Sequence, residues 1–364
     1  MTDDRMPAVG PGGALTVVPV VGLGEVDAGT DLAGVLVSAL DAGGVGLRAG
    51  DCVVVSSKVV SKALGLTWWG SREDAVTAAT VRVVAERRGE AGVTRVVEAV
   101  AGPVMAAAGV DASNTGPTDR LLLLPEDPAA EAGRLRDALR AGAGLPEGAP
   151  LAVVLSDTAG RPWREGLTDL ALGVAGLRPL EDLRGAADHD GRPLAVTMRA
   201  VADEVAAAAD LVKGKADGIP AAVVRGLDPT WFVEAGGGGR SLVRTGAGDW
   251  FALGHVEAVR SALGAAPGSA QARAVGVASV RPDETLAARV GRVVALTLLE
   301  EPEGSADVEV DEVEASAEVT LSAGDHYDLG RLVARAEVAA HSEGLRARVT
   351  SRGASSVVVA LRPV

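Results

Sequence analysis

Short apolar runs with the character of β-strands recur along this 364-residue chain, and each gives way abruptly to glycine or polar residues. The clearest runs are Leu15–Val21, Asp51–Ser56 and Leu151–Leu155. Helix-like stretches separate them at irregular intervals, so the regular alternation that demands a doubly wound parallel sheet is missing. A rigid strand fixes the backbone where it ends, and the following segment carries polar groups. Ligands therefore tend to collect at such strand ends.

The segment after the third run places a carboxylate, a hydroxyl and two guanidinium groups closer together than any other stretch. It reads Ser156-Asp-Thr-Ala-Gly-Arg-Pro-Trp-Arg164. Carboxylate and hydroxyl oxygens are ligands that Mg²⁺ or Mn²⁺ accepts, and arginines suit phosphate or carboxylate. We predict a charged active-site loop here. The alternative is an ordinary exit from a strand, with Asp157 solvated in a surface ion pair.

Composition excludes several classes of function. A net charge of −14 argues against non-specific binding to nucleic acid or to anionic membranes. The single cysteine, Cys52, excludes an internal disulfide, and its apolar surroundings are typical of a core residue. The four histidines lack metal-ligand spacing, so zinc chemistry is not expected. No apolar leader or long uncharged apolar stretch is present, which predicts a cytoplasmic protein.

Residue patterns predict further elements along the chain. A long helix is predicted over Glu73–Arg88, where apolar residues recur at helical spacing between charges. The alanine-rich segment Met198–Leu211 predicts another helix, which Lys213-Gly214-Lys215 interrupts. The acidic segment Asp307–Glu314 is typical of a charged edge strand.

A second polar cluster follows a segment of small residues. Asp111, Ser113 and Asn114 come in quick succession, and Gly109 before them leaves room for a backbone or a ligand to approach. The alternative is an Asx turn at Asp111 with Asn114 in left-handed geometry. Together with Asp157 and several lysines, these residues fit a nucleotide held through a divalent metal ion, without a phosphate-loop motif.

Taken in order, several motifs resemble the coenzyme F420-0:L-glutamate ligase family. The matching stretches are Ser56–Lys62, Ala107–Asn114, Leu123–Pro128, Ser156–Arg164 and Ala208–Lys215. The likeness runs from Thr16 to Glu257. It implies an α+β fold with mixed sheets in two subdomains, followed by a small C-terminal α/β module.

The resemblance implies a ligase domain over residues 14–258, a linker over 259–273 and a C-terminal α/β domain of unknown role over 274–364. Actinobacterial relatives often continue into a flavin-binding, nitroreductase-like domain. The segment after residue 273 is too short for that fold, and no arginine-rich flavin-phosphate segment opens it. We therefore expect no FMN.

The reaction that the resemblance implies is amide-bond formation between L-glutamate and coenzyme F420-0. GTP phosphorylates a carboxylate of the lactyl-phosphate deazaflavin, and the glutamate amine displaces phosphate; further γ-glutamyl additions are left open. Two divalent ions, Mg²⁺ or Mn²⁺, offset the repulsion between the anionic substrates, with K⁺ as a further candidate ion. The family also implies a homodimer. The alternative is a non-catalytic nucleotide- or deazaflavin-binding protein with a C-terminal interaction module.

By the family pattern, Asp111 and Asp157 hold one divalent ion and Thr158 helps to hold another. The residues that contact the nucleotide are Leu23, Gly24, Glu25, Val26, Ser57, Lys62 and Asn114, with the loop at Gly214 and Lys215 closing over it. The chain departs from the pattern at Lys215, where some relatives carry an amide or carboxylate for the second metal ion. An ammonium group cannot ligate a metal ion unless it is neutral.

The residues themselves assign Arg161 and Arg164 as catalytic candidates that anchor anionic groups of the acceptor or of GTP. In the alternative, this pair braces the segment through Asp169 or Asp182. Trp163 either covers the site or belongs to the core.

Overall fold

The computed structural model describes residues 14–90, 92–112, 120–214, 217–234, 238–280, 283–301 and 303–364. They form two compact units. The first unit comprises the described residues up to Thr80 together with Ala99–Arg244, and the second comprises Val81–Glu98 with Thr245–Val364. The predicted α+β class is confirmed, because the chain mixes helices with several separate sheets. The predicted domain boundaries and subdomain architecture stay predictions.

Elements are numbered in chain order. The strands of the first unit are β1 (Thr16–Pro19), β2 (Asp51–Ser56), β3 (Thr67–Trp68), β6 (Val104–Ala106), β7 (Leu121–Leu122), β8 (Leu151–Arg161), β9 (Arg164–Ala175), β10 (Glu181–Asp182), β11 (Met198–Arg199) and β12 (Ala221–Arg225). Its helices are α1 (Leu32–Ala42), α2 (Ser57–Ala63), α3 (Arg72–Ala78), α4 (Pro128–Gly142) and α5 (Val201–Lys213).

The first unit is built on a mixed sheet in the order β1-β12-β2-β8-β9, with helices on both faces. Val53 and Val55 of β2 pack with α1 and α4, whereas Cys52 and Val54 pack with α5. A strand covered on both faces needs a continuous apolar run, which is why β2 was visible in the sequence. Burial, with a smaller contribution from the carboxylate of Asp51, raises the pKa of the Cys52 thiol. Cys52 is therefore a core residue, as predicted.

Helix α4 lies unusually close to β9 because of a glycine. A Cβ on Gly173 would lie 2.0 Å from the carbonyl oxygen of Pro128, at the start of α4. The helix begins here because the Asp127 side chain accepts a hydrogen bond from the backbone N–H of Ala130. The N-terminus of α4 thereby packs directly on the sheet.

The long helix predicted over Glu73–Arg88 is wrong. Helix α3 ends at Ala78, and strand β4 (Thr80–Gly89) follows and neighbours β5 (Gly92–Ala99) in a sheet. The valines of β4 favour a strand because their branched side chains fit a pleated surface. The Nε of Arg82 also lies 2.6 Å from Oε2 of Glu98, which pairs charges between the two strands. Local periodicity does not reveal a pairing partner that lies further along the chain.

The second unit combines β4 and β5 with a C-terminal sheet. Its further elements are α6 (His255–Ala262), α7 (Ala270–Val275), α8 (Leu286–Leu298), β13 (Ser305–Asp311), β14 (Ser316–Ser322), α9 (His326–Ser342), β15 (Leu345–Arg352) and β16 (Ser356–Pro363). The sheet is antiparallel in the order β13-β14-β16-β15, so the predicted acidic edge strand is confirmed, although it ends at Asp311 and the predicted residues up to Glu314 lie in the turn that follows. None of the described helices of the chain is long and apolar enough to span a membrane.

Candidate functional site

The directions of the strands bring several polar segments to one edge of the central sheet. Strands β2 and β8 are parallel, with Ser56 opposite Ser156. Strand β12 is antiparallel to β2, and β1 is antiparallel to β12, so β1, β2 and β8 run in the same direction. Their carboxyl ends and the segment that leads into β12 therefore share one edge, which we call the site edge.

The prediction of a loop after Leu155 is wrong, because this segment forms strands. Strand β8 continues past the apolar run and turns at Pro162-Trp163 into β9, so Asp157 and Thr158 lie on a β-hairpin. The apolar run ends early because only the first half of β8 is fully buried. Backbone pairing extends the strand further, with Thr158 opposite Asp169. A hairpin holds side chains in more defined positions than a loop does.

The segment after β1 contacts helix α2. Val26 is buried and Leu23 packs against the core, whereas Gly24 and Glu25 are exposed. In the last turn of α2, the Nζ of Lys62 lies 3.3 Å from Oε2 of Glu25. Two segments predicted to contact the nucleotide are thus in contact with each other.

A second contact joins α2 to the segment around Asp111. The helix begins at Ser57, which is buried, directly after β2. The Nζ of the next residue, Lys58, lies 2.6 Å from Oδ2 of Asp111. The backbone of Asp111 pairs with Leu122 of β7 through hydrogen bonds of 3.1 and 2.8 Å. Asn114, and with it the alternative Asx turn, lies outside the described residues.

A buried polar cluster joins β8, β9 and α5 at the site edge, and sequence reasoning missed it. Asp169 accepts hydrogen bonds from Oγ of Ser156 at 2.8 Å and from Oγ1 of Thr158 at 2.7 Å. The Nζ of Lys213, the last residue of α5, lies 2.6 Å from Oδ2 of Asp169 and 2.8 Å from Oγ of Ser156. The side chains of Asp169 and Lys213 are each only 4% exposed. We call these four residues the buried cluster.

The buried cluster keeps Asp169 ionised. Burial alone would raise the pKa of Asp169, but the charge of Lys213 and the hydrogen bonds from Lys213, Thr158 and Ser156 outweigh it and lower the pKa. A buried ion pair is tolerable only when its remaining polar atoms are hydrogen-bonded, and the two hydroxyls meet that need. The hydroxyl of Thr158 donates a hydrogen bond to Asp169, and its oxygen carries the lone pairs through which a hydroxyl accepts hydrogen bonds or ligates a metal ion.

The sequence carries a weak signal for this cluster. Ser156 and Thr158 are two residues apart, so a strand would place both on one face. Lys213 precedes a glycine at the end of a helical pattern. Neither pattern identifies Asp169 as the common partner, because the pairing of β8 with β9 depends on the position of the hairpin turn.

Gly214 sets the direction of the chain after the buried cluster. Its φ of 62° and ψ of 173° belong to a region that only glycine adopts readily. A Cβ at this position would also lie 2.5 Å from Oδ2 of Asp217. Lys215, the neighbouring residue predicted to close over the nucleotide, lies outside the described residues.

The two arginines predicted to anchor anions face each other across the hairpin. Arg161 and Arg164 are direct partners at the turn. Like charges placed opposite each other on neighbouring strands repel, so the pair suits an anion between them. The alternative, in which they brace the segment through Asp169 or Asp182, does not match the contacts, since other basic residues hold both carboxylates. Trp163 is 81% exposed and therefore does not belong to the core.

Comparison with known protein families decides what this arrangement belongs to. The model of the family described as "F420-0:Gamma-glutamyl ligase" matches residues 21–226, more than half of the chain. This chain belongs to the F420-0:gamma-glutamyl ligase family. The matched span contains every predicted site residue from Leu23 to Lys215.

Similar proteins within the family support the same assignment. A coenzyme F420:L-glutamate ligase of Methanothermobacter thermautotrophicus is 38% identical over 252 residues, which is 63% of this chain and 96% of that protein. A protein of the same name from Halobacterium salinarum is 41% identical over 57% of this chain and 85% of its own length. One from Haloarcula marismortui is 40% identical over 59% and 88%. The resemblance read from the motifs and the prediction of a ligase are confirmed.

The family implies divalent metal ions, and the oxygen atoms at the predicted positions fit them chemically. Asp111 and Asp157 supply carboxylates and Thr158 supplies a hydroxyl, all hard donors. Among the described residues, no three acidic, histidine or cysteine side chains are grouped so that they could hold an ion by themselves. Mg²⁺ commonly uses one or two carboxylates, with substrate phosphates and water completing its shell. This donor set therefore fits an ion that binds together with a nucleotide.

Proposed function

We propose that this protein joins the amino group of L-glutamate to a carboxylate of coenzyme F420-0 through an amide bond, with GTP as co-substrate. The observation that carries the proposal is the convergence of separate segments at the site edge: residues 23–26, residues 57–62, the hairpin residues 157–158 and the turn at Gly214. Membership in a ligase family whose similar proteins are named coenzyme F420:L-glutamate ligases supports it.

The reaction requires activation, because a carboxylate is a poor electrophile. A carboxylate oxygen of the acceptor attacks the γ-phosphorus of GTP, the bond to the β–γ bridging oxygen breaks, and an acyl phosphate and GDP result. The amine of glutamate then attacks the acyl carbon, loses a proton and expels inorganic phosphate. Both steps bring anions together, so the site must supply positive charge.

The nucleotide would lie along the segments that follow β1 and β2. Gly24 is exposed and lets phosphate oxygens approach the backbone closely, while Leu23 and Val26 anchor that segment in the core. Lys62 supplies an ammonium group beside it. Ser57, Asn114 and the loop at Gly214 and Lys215 complete the set that the family pattern assigns.

Asp111 and Asp157 would hold one divalent ion, and Thr158 would help to hold a second. Such ions, Mg²⁺ or Mn²⁺ with K⁺ as a further candidate, neutralise phosphate charge when they are bound. Asp169 would orient the Thr158 oxygen by accepting the hydrogen bond of its hydroxyl. Lys58 compensates the charge of Asp111 at 2.6 Å and would supply positive charge beside a bound phosphate group.

The hairpin turn would bind the acceptor. Arg161 and Arg164 lie opposite each other and suit its phosphate. The exposed Trp163 between them offers a flat aromatic face to the planar deazaflavin. At about 3.3 Å per strand residue the turn lies roughly 15 Å from Thr158, which leaves room for an elongated acceptor. The homodimer and the cytoplasmic location implied above stay predictions.

Phosphate release from GTP tests the proposal. Purified protein with Mn²⁺, F420-0 and L-glutamate should release one phosphate per amide formed, with the product identified by mass spectrometry. Asp157→Ala should abolish this release and weaken GTP binding. Asp190→Ala, in an exposed turn, is the matched control and should change neither. If the wild-type protein releases no phosphate and Asp157→Ala binds GTP normally, the ligase proposal fails and a non-catalytic binding protein takes its place.

A further inference from the structure

The C-terminal sheet of the second unit has one covered and one uncovered face. Helices α8 and α9 pack on the covered face, where Val319, Leu321, Val359 and Leu361 are buried. Successive side chains of a strand point to opposite faces, so the residues between these positions project to the other side. We call that side the open face.

The charges on the open face are sorted by strand. The outer strand β13 contributes Asp307, Glu309 and Asp311, and the opposite outer strand β15 contributes Arg346 and Arg348. All five are exposed. One margin of the open face is therefore acidic and the other is basic.

The strand register arranges these charges in rows across the sheet. One row reads Glu309, Glu318, Ala360, Arg348, and the next, one step beyond the Ala317–Leu361 pair, reads Asp311, Ser316, Arg362, Arg346. Each row begins with an acid and ends with an arginine. Glu309 faces Glu318 and Arg346 faces Arg362, so like charges are adjacent on both margins, which destabilises a sheet on its own.

These charges have no oppositely charged partner among the described residues, although Oδ1 of Asp311 accepts hydrogen bonds from the backbone of Val313 and Glu314. In that part of the chain, none of the carboxylates or guanidinium groups in the two rows forms an ion pair. A surface with two separated, opposite and uncompensated margins is complementary to itself.

We propose that the open face is a surface through which two copies of this chain associate with two-fold symmetry. An axis parallel to the strands, passing between β14 and β16, stacks β13 of one copy on β15 of the other. Glu309 then faces Arg348 of the second copy, and Asp311 faces its Arg346. The open-face residues of β14 and β16 flank the axis, and among them Thr320 and Val358 are uncharged, whereas Glu318 faces Ala360 of the second copy.

A two-fold axis in the plane of the sheet can run parallel or perpendicular to the strands. The positions of the charges favour the parallel axis. An axis perpendicular to the strands would stack acid on acid and arginine on arginine. Four strands of seven or eight residues offer a face of about 450 Å². Stable interfaces bury about 800 Å² on each partner, so we expect weak association that salt weakens further.

A charge exchange tests the proposal without reference to ligase activity. Glu309→Arg and Arg348→Glu should each lower the association constant at least tenfold, because each places like charges face to face. The doubly exchanged chain should associate like the wild type, and so should an equimolar mixture of the two single variants. Sedimentation velocity at several protein and salt concentrations measures all four samples, and thermal unfolding checks that each is folded.

Cross-linking locates the contact independently of any other interface. Thr320→Cys adds a reactive thiol near the proposed axis, and the native Cys52 is buried and does not compete. A short bis-maleimide should link two copies of this variant, and Glu337→Cys on an exposed position of α9 should give no linked dimer. The proposal is overturned if the single exchanges associate like the wild type, if the mixture does not recover association, or if both cysteine variants cross-link alike.

Discussion

In the first unit a lysine and an aspartate are buried with two hydroxyls, whereas the second unit buries a glutamate between two arginines. The side chain of Glu343 is 1% exposed and pairs with Arg260 and with Nε of Arg292, the latter at 2.7 Å. Arg292 also holds Glu284 through two hydrogen bonds of 2.7 and 2.9 Å. Arg260 lies in α6 and Arg292 in α8, whereas Glu284 precedes α8 and Glu343 follows α9. The ion pairs of Glu343 therefore link α6 and α8 to the end of α9.

The two clusters differ in the groups that their polar atoms contact. Around Glu343, the partners of the charged atoms are protein groups that belong to packed helices. In the buried cluster, the Thr158 hydroxyl donates a hydrogen bond to Asp169, and its oxygen lies at the site edge. Burial of an ion pair is weak evidence for a role in stability or in function. The position of the ion pair relative to the site edge distinguishes a pair that could act in the site from one that only stabilises the fold.

The largest effect is expected when Lys213 is removed. Lys213→Met leaves the carboxylate of Asp169 buried without its cation, which should lower the free energy of unfolding by about 3–5 kcal/mol. Phosphate release should be lost as well, because the carboxylate of Asp169 loses the cation that holds it in place beside Thr158. Urea unfolding and the phosphate assay measure the two quantities.

Glu343→Gln is the matched change in the second unit. It removes the carboxylate partner of Arg260 and leaves Arg292 paired with Glu284 alone, so it should lower the free energy of unfolding by less than Lys213→Met does. Turnover per folded molecule should nevertheless equal that of the wild type at a temperature where both are folded. Equal loss of turnover in the two variants would mean that the buried cluster acts only through stability.

A smaller effect is expected when the charge is removed but the shape is kept. Asp169→Asn should raise the Mn²⁺ concentration needed for half-maximal phosphate release about 10- to 100-fold, because a residue that orients a metal ligand is lost. Thr158→Val should give the same shift, and Thr158→Ser, which retains the hydroxyl, should stay near the wild type. A normal Mn²⁺ dependence in Thr158→Val would remove Thr158 from the metal site.

Sequence reasoning succeeded where burial dictates residue type. The strand β2 was predicted with its observed bounds because both of its faces are covered, and Cys52 was placed in the core for the same reason. The convergence of residues after separate strands also followed from the sequence, since ligands collect at strand ends. Family membership then confirmed the resemblance that the motifs carried.

The errors share one physical cause, which is pairing between distant segments. Strand β4 was predicted as the end of a helix because its partner β5 is not visible in local periodicity. The hairpin of β8 and β9 was predicted as a loop because the apolar run stops where two-sided burial stops. The buried cluster was missed since Asp169 meets Thr158 only through that hairpin.

Acidification should change stability in opposite directions in variants of Asp169 and of Asp203. The folded pKa of Asp169 is lowered, so its ionisation contributes stability above the unfolded value of about 3.9, and that stability is lost as the pH falls through the folded pKa. Asp169→Asn should therefore be less stable than the wild type at pH 7, with a difference that shrinks below about pH 4. Urea unfolding between these pH values measures it.

Asp203→Asn is the control of opposite sign. Burial raises the pKa of Asp203, and the hydrogen bond from the backbone of Ala171 only partly offsets this. The folded state therefore disfavours its ionised form, and the stability of the variant relative to the wild type should be highest at pH 7 and should fall as the solution is acidified. Parallel pH trends in the two variants would contradict the assignment of Asp169 as the stabilised carboxylate.

The smallest effect is expected at the exposed contact between Glu25 and Lys62. Glu25 is 88% exposed and Lys62 only 12%, so breaking this pair should change the free energy of unfolding by less than about 1 kcal/mol. Because Glu25 competes with phosphate oxygens for the same ammonium group, Glu25→Gln should strengthen binding of a non-hydrolysable GTP analogue a few-fold, and Lys62→Gln should weaken it. Calorimetric titration at low and high salt measures both, and salt should shrink the gain. Weaker binding in Glu25→Gln would instead support the contact between Glu25 and the nucleotide that the family pattern predicts.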